Sequence, residues 1–264
     1  MQDELFRDDI LRGRTAVISG GGTGIGFAIA RQLGRLGARV AICARNFGEL
    51  EAAAARLRAE AIEALPFSVN IRDEATVAAF FAALAQAGWQ PDILVNNAGG
   101  QFAAPALEVS PNGFRSVVDL NLTGSWLMSS AFARQFSQSG QRQGSIVSIV
   151  LAQEQGIPGM VHAAAARAGV ANMMKTLAYE WGPLGLTANA IAPGTVETAA
   201  LARYDRASLE ATVARLPVAR MATPEEVAQA VAYLVSPAAR FITGITLQID
   251  GGEHLTGVQP QTSA

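Results

Sequence analysis

Residues 15–26 read Thr-Ala-Val-Ile-Ser-Gly-Gly-Gly-Thr-Gly-Ile-Gly and pass directly into a helical apolar pattern from Ile25 to Leu36. A β-branched run, a glycine cluster and a helix in that order leave few folds open. The glycines let the backbone turn tightly and come close to a ligand, and the helix N-terminus behind them presents free amides to an anion. This context predicts a cradle for the pyrophosphate of a dinucleotide, with Gly20, Gly22, Thr23, Gly24, Ile25 and Gly26 as its contacts.

The rest of the chain repeats the alternation. After Thr15–Ser19, strands are expected at Arg39–Cys43, Leu65–Val69, Ile93–Val95, Ser145–Ile149, Thr187–Ile191 and Thr246–Ile249. Helical spacing separates them, as in Leu50 to Ile62, and Thr223-Pro224-Glu225-Glu226 has the cap, N1 proline and N3 glutamate that open a helix over Val227–Leu234. About seven parallel strands flanked by helices make an α/β, doubly wound Rossmann fold. No linker-like stretch divides it, so residues 1–264 are read as one domain with a core from 13 to 252 and a loosely ordered polar tail after Gly257.

Composition narrows the partners. Half of the 264 residues are hydrophobic and 16% are charged, enough apolar material for a core and for contacts between copies, so a homo-oligomer, tetramer or dimer, is expected. A net charge of -2 without like-charge blocks argues against nucleic acid and membrane as partners. The single cysteine, Cys43, sits among apolar residues in an expected buried strand and excludes an intrachain disulfide. With an acidic start and a Thr262-Ser263-Ala264 end, a cytoplasmic protein is expected. No His/Asp/Glu cluster has metal-ligand spacing, and His254 stands without a supporting constellation.

Cofactor choice is written after the second expected strand, where Ala44 takes the place of the acidic residue that would bind an adenosine ribose. Arg45 follows, with Asn46 beside it, and both are expected to contact the cofactor. An arginine there pairs with a 2′-phosphate, so NADP(H) is expected over NAD.

The spacing Gly20, Gly24, Gly26, with Ser19 in a threonine position, resembles the TGxxxGxG loop of the short-chain dehydrogenases/reductases. Asn96-Asn97-Ala98-Gly99, Asn121-Leu122-Thr123-Gly124, Pro193-Gly194 with Thr198, and Asp250-Gly251-Gly252 extend the resemblance from Gly13 to Gly252. It implies that Asn97, Ala98 and Gly99 line the adenosine side, with Asn70 and Ile71 in the place of the family's Asp-Val pair near adenine. It further implies that Pro193, Gly194, Val196 and Thr198 meet the nicotinamide half, and that Asn121 is the active-site asparagine.

The family's Tyr-x-x-x-Lys motif is missing. Aligning Ala168-Gly169-Val170 with the family's Ala-Ala-Val puts Arg167 at the lysine and Ala163 at the tyrosine, and the serine would fall near Val150 or Leu151. Tyr179, Tyr204, Tyr233 and Lys175 lie far from this register. Arg167 is therefore expected to hold nicotinamide ribose hydroxyls without relaying a proton. His162 is a speculative acid, and Gln153 and Glu154 are loop candidates to face substrate.

Ketone reduction suffers most from this loss, because a positioned acid is worth about 100- to 10,000-fold in rate. Hydride addition to an enoyl thioester instead spreads charge into an enolate held by hydrogen-bond donors. Segments such as Gly99-Gly100-Gln101-Phe102, Val161-His162 and Phe241-Ile242-Thr243-Gly244 are similar to the trans-2-enoyl-CoA and 2,4-dienoyl-CoA reductase branch, in which the motif is also altered. The first expectation is an NADPH-dependent reductase of an α,β-unsaturated acyl thioester, with Asn121 and ordered water supporting the enolate. A carbonyl reductase or alcohol dehydrogenase with a substituted acid, and a catalytically silent NADP-binding sensor or assembly partner, remain open.

Overall fold

A computed structural model describes residues 7–151, 156–203 and 206–256. Seven strands form one sheet: β1 (Thr15–Ser19), β2 (Arg39–Ala44), β3 (Ala64–Ser68), β4 (Ile93–Asn96), β5 (Gly144–Ile149), β6 (Leu186–Pro193) and β7 (Thr246–Ile249). Their order is β3-β2-β1-β4-β5-β6-β7, and every neighbouring pair is parallel. Parallel strands covered on both faces read as continuous apolar runs, and successive side chains enter opposite layers. Ala16 and Ile18 of β1 enter one core layer while Val17 enters the other.

The eight α-helices among the described residues are α1 (Gly24–Arg35), α2 (Phe47–Ala59), α3 (Glu74–Gln86), α4 (Pro111–Val118), α5 (Gly124–Gln138), α6 (Val161–Trp181), α7 (Arg206–Val213) and α8 (Pro224–Val235). Leu33 of α1, Leu50 of α2 and Val231 of α8 share one layer; Phe80 of α3, Phe132 of α5 and Met174 of α6 share the other. The capping box expected at Thr223 is present, with Glu226 closing it from N3.

Several boundaries differ from the sequence reading. The second helix starts three residues before Leu50, because the Asn46 side chain caps it by accepting from the Gly48 and Glu49 amides. It ends at Ala59, before Ala61 takes a positive φ of 60°. The third strand runs one residue earlier than expected, in register with β2. Asn121 lies on a π-helical turn, Asp119–Thr123, inserted between α4 and α5.

From β1 the chain builds outward to β3, then crosses back to place β4 on the other side of β1. The strand order therefore reverses between β1 and β4. In open parallel sheets that reversal opens a crevice beyond the carboxyl ends of the strands.

Candidate active site

A cleft of about 630 Å³ occupies that crevice. Gly20, Thr23, Gly24, Ile25 and Gly26 line one end of it, at the junction of β1 and α1. Thr23 has an extended backbone and makes no side-chain cap, and the first turn of α1 carries no acidic residue. Its free amides and dipole therefore favour an anion. Gly20 is held at a φ of 65°, and a Cβ on Gly26 would lie 2.5 Å from the Asn97 amide nitrogen and 2.8 Å from the Gly20 carbonyl carbon. The loop is closed from the β4 side by Asn97, whose amide donates to the carbonyls of Ser19 (3.1 Å) and Gly20 (3.2 Å). Ser19 completes the clamp, its hydroxyl accepting from the Asn97 and Ala98 amides at 3.1 Å each.

Ala44, Arg45, Asn70 and Ile71 line the adjoining stretch of the cleft, at the ends of β2 and β3. Arg45 is exposed, and its guanidinium makes no ion pair among the described residues. Cys43, one residue inside the strand, is fully buried; burial pushes its thiol up to about 12, so it is inert at neutral pH.

Arg167 lines the cleft from α6. The residue is 6% exposed, yet its guanidinium has no carboxylate partner among the described residues. It donates to the Ile149 carbonyl at 2.6 Å, and burial holds it down at about 10. It packs so closely on Gly99 that a Cβ there would lie 3.0 Å from the guanidinium carbon and 2.6 Å from the Asn121 carbonyl oxygen. A buried cation with spare donors, facing a cleft, fits a ligand rich in hydroxyl or anionic oxygens.

The wall at the expected serine and tyrosine register is aliphatic. Val150, Leu151, Ile157 and Met160 line it, while Ala163 is fully buried behind. Ser148 turns into the core, where it accepts from Asn96 at 3.2 Å. At the far end, Pro193, Gly194, Thr195, Val196 and Thr198 come in from β6, with Glu253 beside them.

Four residues expected at the site do not line the cleft. Gly22 faces Leu50 of α2, and Asn46 is occupied as the α2 cap. Asn121 is fully buried and locks the Gly99–Gln101 segment from beneath, accepting from the Gly100 amide (3.1 Å) and donating to its carbonyl (2.9 Å). His162 is also fully buried: Nδ1 accepts from the Ala163 amide at 2.7 Å, and the ring meets Phe102 edge to face at 4.3 Å between centroids. Among the described residues its Nε2 has no partner, and burial lowers its pKa, so the ring is neutral at pH 7. Gln153, Glu154 and Tyr204 lie outside the described residues.

Sequence reasoning picked out Asp250-Gly251-Gly252 after β7 but missed the side-chain contacts that Asp250 and Glu253 make there. There Asp250 accepts from the His254 amide (2.9 Å) and lies 2.6 Å from its ring Nδ1, giving His254 the partner the sequence reading did not find. The i, i+4 spacing of the two was the available signal.

The Enoyl-(Acyl carrier protein) reductase family profile matches residues 20–254. The chain belongs to the short-chain dehydrogenase/reductase family. As a member of that family it is an oxidoreductase. A peroxisomal 2,4-dienoyl-CoA reductase of Pongo abelii is 38% identical, over 96% of this chain and 87% of its own length. The corresponding reductase of Rattus norvegicus is 37% identical, with the same coverage. Among solved structures, a citronellol catabolism dehydrogenase of Pseudomonas aeruginosa superimposes with a TM-score of 0.84 at 35% identity, over 96% of this chain and 99% of that one. Among the described residues no helix is long and apolar enough to cross a membrane.

Proposed function

We propose that this family member is an NADPH-dependent reductase of α,β-unsaturated acyl thioesters of the enoyl- or dienoyl-CoA type. The observation that carries the reading is the pairing, in one cleft, of a glycine-crowded dinucleotide cradle with Arg167 and an aliphatic wall where a hydroxyl acid would stand. Relatives named 2,4-dienoyl-CoA reductases, at 37–38% identity, support the same substrate class.

The residues fit the cofactor. The open amides at the N-terminus of α1 would hold the pyrophosphate, Arg45 the 2′-phosphate, Asn70 and Ile71 the adenine side, and Arg167 the ribose next to the nicotinamide. Pro193, Gly194, Val196 and Thr198 would frame the nicotinamide itself. Reduced nicotinamide, when bound, supplies a hydride to the β-carbon of the alkene, or to its vinylogous position in a diene. Arg167 contributes a positive potential beside the electron density that moves towards the thioester. Asn121 acts from beneath, fixing the Gly99–Gln101 backbone that lines the cleft. The hydrophobic wall excludes water from the reacting carbons and accepts the acyl chain.

The test is oxidation of NADPH with a panel of enoyl-CoA and dienoyl-CoA substrates, followed by absorbance. Saturable NADPH binding without turnover on any of them refutes the reading and leaves the catalytically silent alternative. A second reading, a dehydrogenase of an alcohol or carbonyl substrate, is favoured by the likeness to the citronellol catabolism dehydrogenase. Turnover of citronellol or its aldehyde, without turnover of the thioesters, selects it.

We propose also that the protein works as a homo-oligomer, a tetramer or a dimer. Trp126 of α5 is 42% exposed and stacked on Trp181 of α6, leaving an aromatic patch for a second copy. The compartment follows the substrate: some of the relatives bear peroxisomal names, and a cytoplasmic site is the reading taken from the sequence.

A further inference from the structure

The loss of tyrosine, serine and lysine leaves no proton donor among the described residues on the α6 side of the cleft. The Val150, Leu151, Ile157 and Met160 wall has nothing to titrate. His162 is sealed behind Phe102 and off the cleft wall. Among the described lining residues the ionisable side chains are Arg45, Arg167 and Glu253, and the two arginines do not give up protons at neutral pH. Glu253 is the one carboxylic acid.

Its position is built. Glu253 opens a short 3-10 turn, Glu253–Leu255, just past the glycine pair that follows β7. Its carboxyl reaches across to the end of β6, accepting from the Thr195 amide at 2.9 Å and lying 3.4 Å from the Thr195 hydroxyl. Thr195 sits between Gly194 and Val196, on the cleft wall proposed to frame the nicotinamide. The Pro193–Val196 segment packed on this carboxyl carries no titratable side chain, and neither does Pro217–Val218, which lies against Gly251 and Gly252. The titratable neighbours are on its own segment: Asp250, and His254, which Asp250 engages.

We propose that Glu253 is the proton source of the reduction, the part taken elsewhere in the family by a tyrosine. The inference rests on the enoyl-thioester reading. Hydride arriving at the β-carbon pushes the alkene pair towards the thioester and forms an enolate. The neutral carboxyl then gives its proton to the α-carbon, directly or through one water, and becomes a carboxylate that solvent reprotonates once product leaves. The substrate gains a hydride, which carries both electrons, and one proton from Glu253, and the nicotinamide is the species oxidised. Burial, with the nearby charge of Asp250 acting in the same direction, raises the pKa of Glu253 despite the Thr195 amide, the direction that favours an acid.

The test compares unsubstituted enzyme with Glu253→Gln, which keeps an acceptor for the Thr195 amide but carries no acidic proton. NADPH affinity is expected to stay within about twofold, kcat to fall about 100-fold, and the decline of kcat at alkaline pH to disappear. Glu253→Asp, which still titrates, should keep that decline at a displaced pH, and it decides the matter if the glutamine variant does not fold. A glutamine variant with kcat within threefold and an unchanged pH profile overturns the assignment and leaves Glu253 as a brace for Thr195. So does an aspartate variant with unchanged kcat and profile. If the unsubstituted enzyme turns over no enoyl- or dienoyl-CoA, the functional reading fails and the inference falls with it; turnover with an indifferent Glu253 refutes the inference alone.

Discussion

Replacing Arg167 with methionine separates what this residue does for the fold from what it does for the ligand. Burial lowers the guanidinium to about 10, and the gap to the ordinary arginine value corresponds to roughly 3 kcal/mol of folding free energy. The sign follows from linkage. A cation whose folded pKa is depressed destabilises the fold at every pH below that pKa, and the penalty lifts only as pH rises through it, so the full cost is present at pH 7. Against it stands the 2.6 Å bond to the Ile149 carbonyl, worth about 1.5–3 kcal/mol as a charged hydrogen bond. Methionine has a similar length and no charge. The cofactor-free variant should therefore be unchanged or more stable by about 1 kcal/mol, a rise in Tm of about 2–4 °C. Loss of charged donors to a ribose should meanwhile weaken NADPH about 10- to 100-fold. Thermal unfolding with and without NADPH reads both effects, since ligand at 100 times its Kd adds about 2.7 kcal/mol to the unsubstituted protein. A variant that loses more than 1 kcal/mol without cofactor and keeps the NADPH-induced shift in Tm would show that Arg167 serves the core, and the reasoning would be wrong.

Gly99→Ala should reach the same end by another route: its Cβ would lie 2.6 Å from the Asn121 oxygen and crowd Arg167, costing about 1–3 kcal/mol of stability and at least 10-fold in NADPH affinity by isothermal titration. Arg45→Ala should weaken NADPH about 10-fold and leave NADH unchanged, because an exposed pair to a 2′-phosphate is worth about 1–2 kcal/mol; equal losses for both cofactors would place Arg45 elsewhere. His162→Leu tests the sealed imidazole. Its folded pKa is lowered by burial, so unsubstituted protein should lose stability as pH falls below the ordinary histidine value, where only the unfolded chain gains the proton, and the leucine variant should show a flatter profile in urea unfolding from pH 8 to 5.

Much of this molecule can be read from its residues because the features that build it are local. Strands buried on both faces betray themselves as short β-branched runs, and the cradle needs glycine where a Cβ would strike the Asn97 amide. What stayed hidden depends on rotation and distance. One residue along a helix turns a side chain by about 100°, so His162 does not share the face of Ala163 and Arg167, which stand one turn apart; Arg167 meets the cleft where the short Ala163 stays buried. Asn46, next to Arg45, is expected at the cofactor, but an asparagine preceding a helix competes for the first-turn amides and wins them here. Glu253 is 58 residues from Thr195, and only the pairing of β6 with β7 brings them together.

The altered motif reads better as a coordinated change than as decay. Had lysine and tyrosine simply drifted, a neutral or exposed residue at position 167 would have removed the cost of a buried cation; the arginine keeps that cost, and Gly99 leaves it room. A retained positive charge without an adjacent titratable hydroxyl favours an anion that is stabilised where it forms and protonated from elsewhere. An enolate conjugated with a thioester meets that description, because its charge is spread over several atoms and its lifetime allows a separate proton transfer. An alkoxide at a single oxygen does not. The same reasoning ranks the substrates: on this reading a dienoyl thioester, whose anion is delocalised further, should lose less rate than a monoenoyl thioester when Arg167 is replaced, and paired kcat/KM measurements on the methionine variant decide the order. Equal losses on both would mean that the charge acts on the cofactor alone.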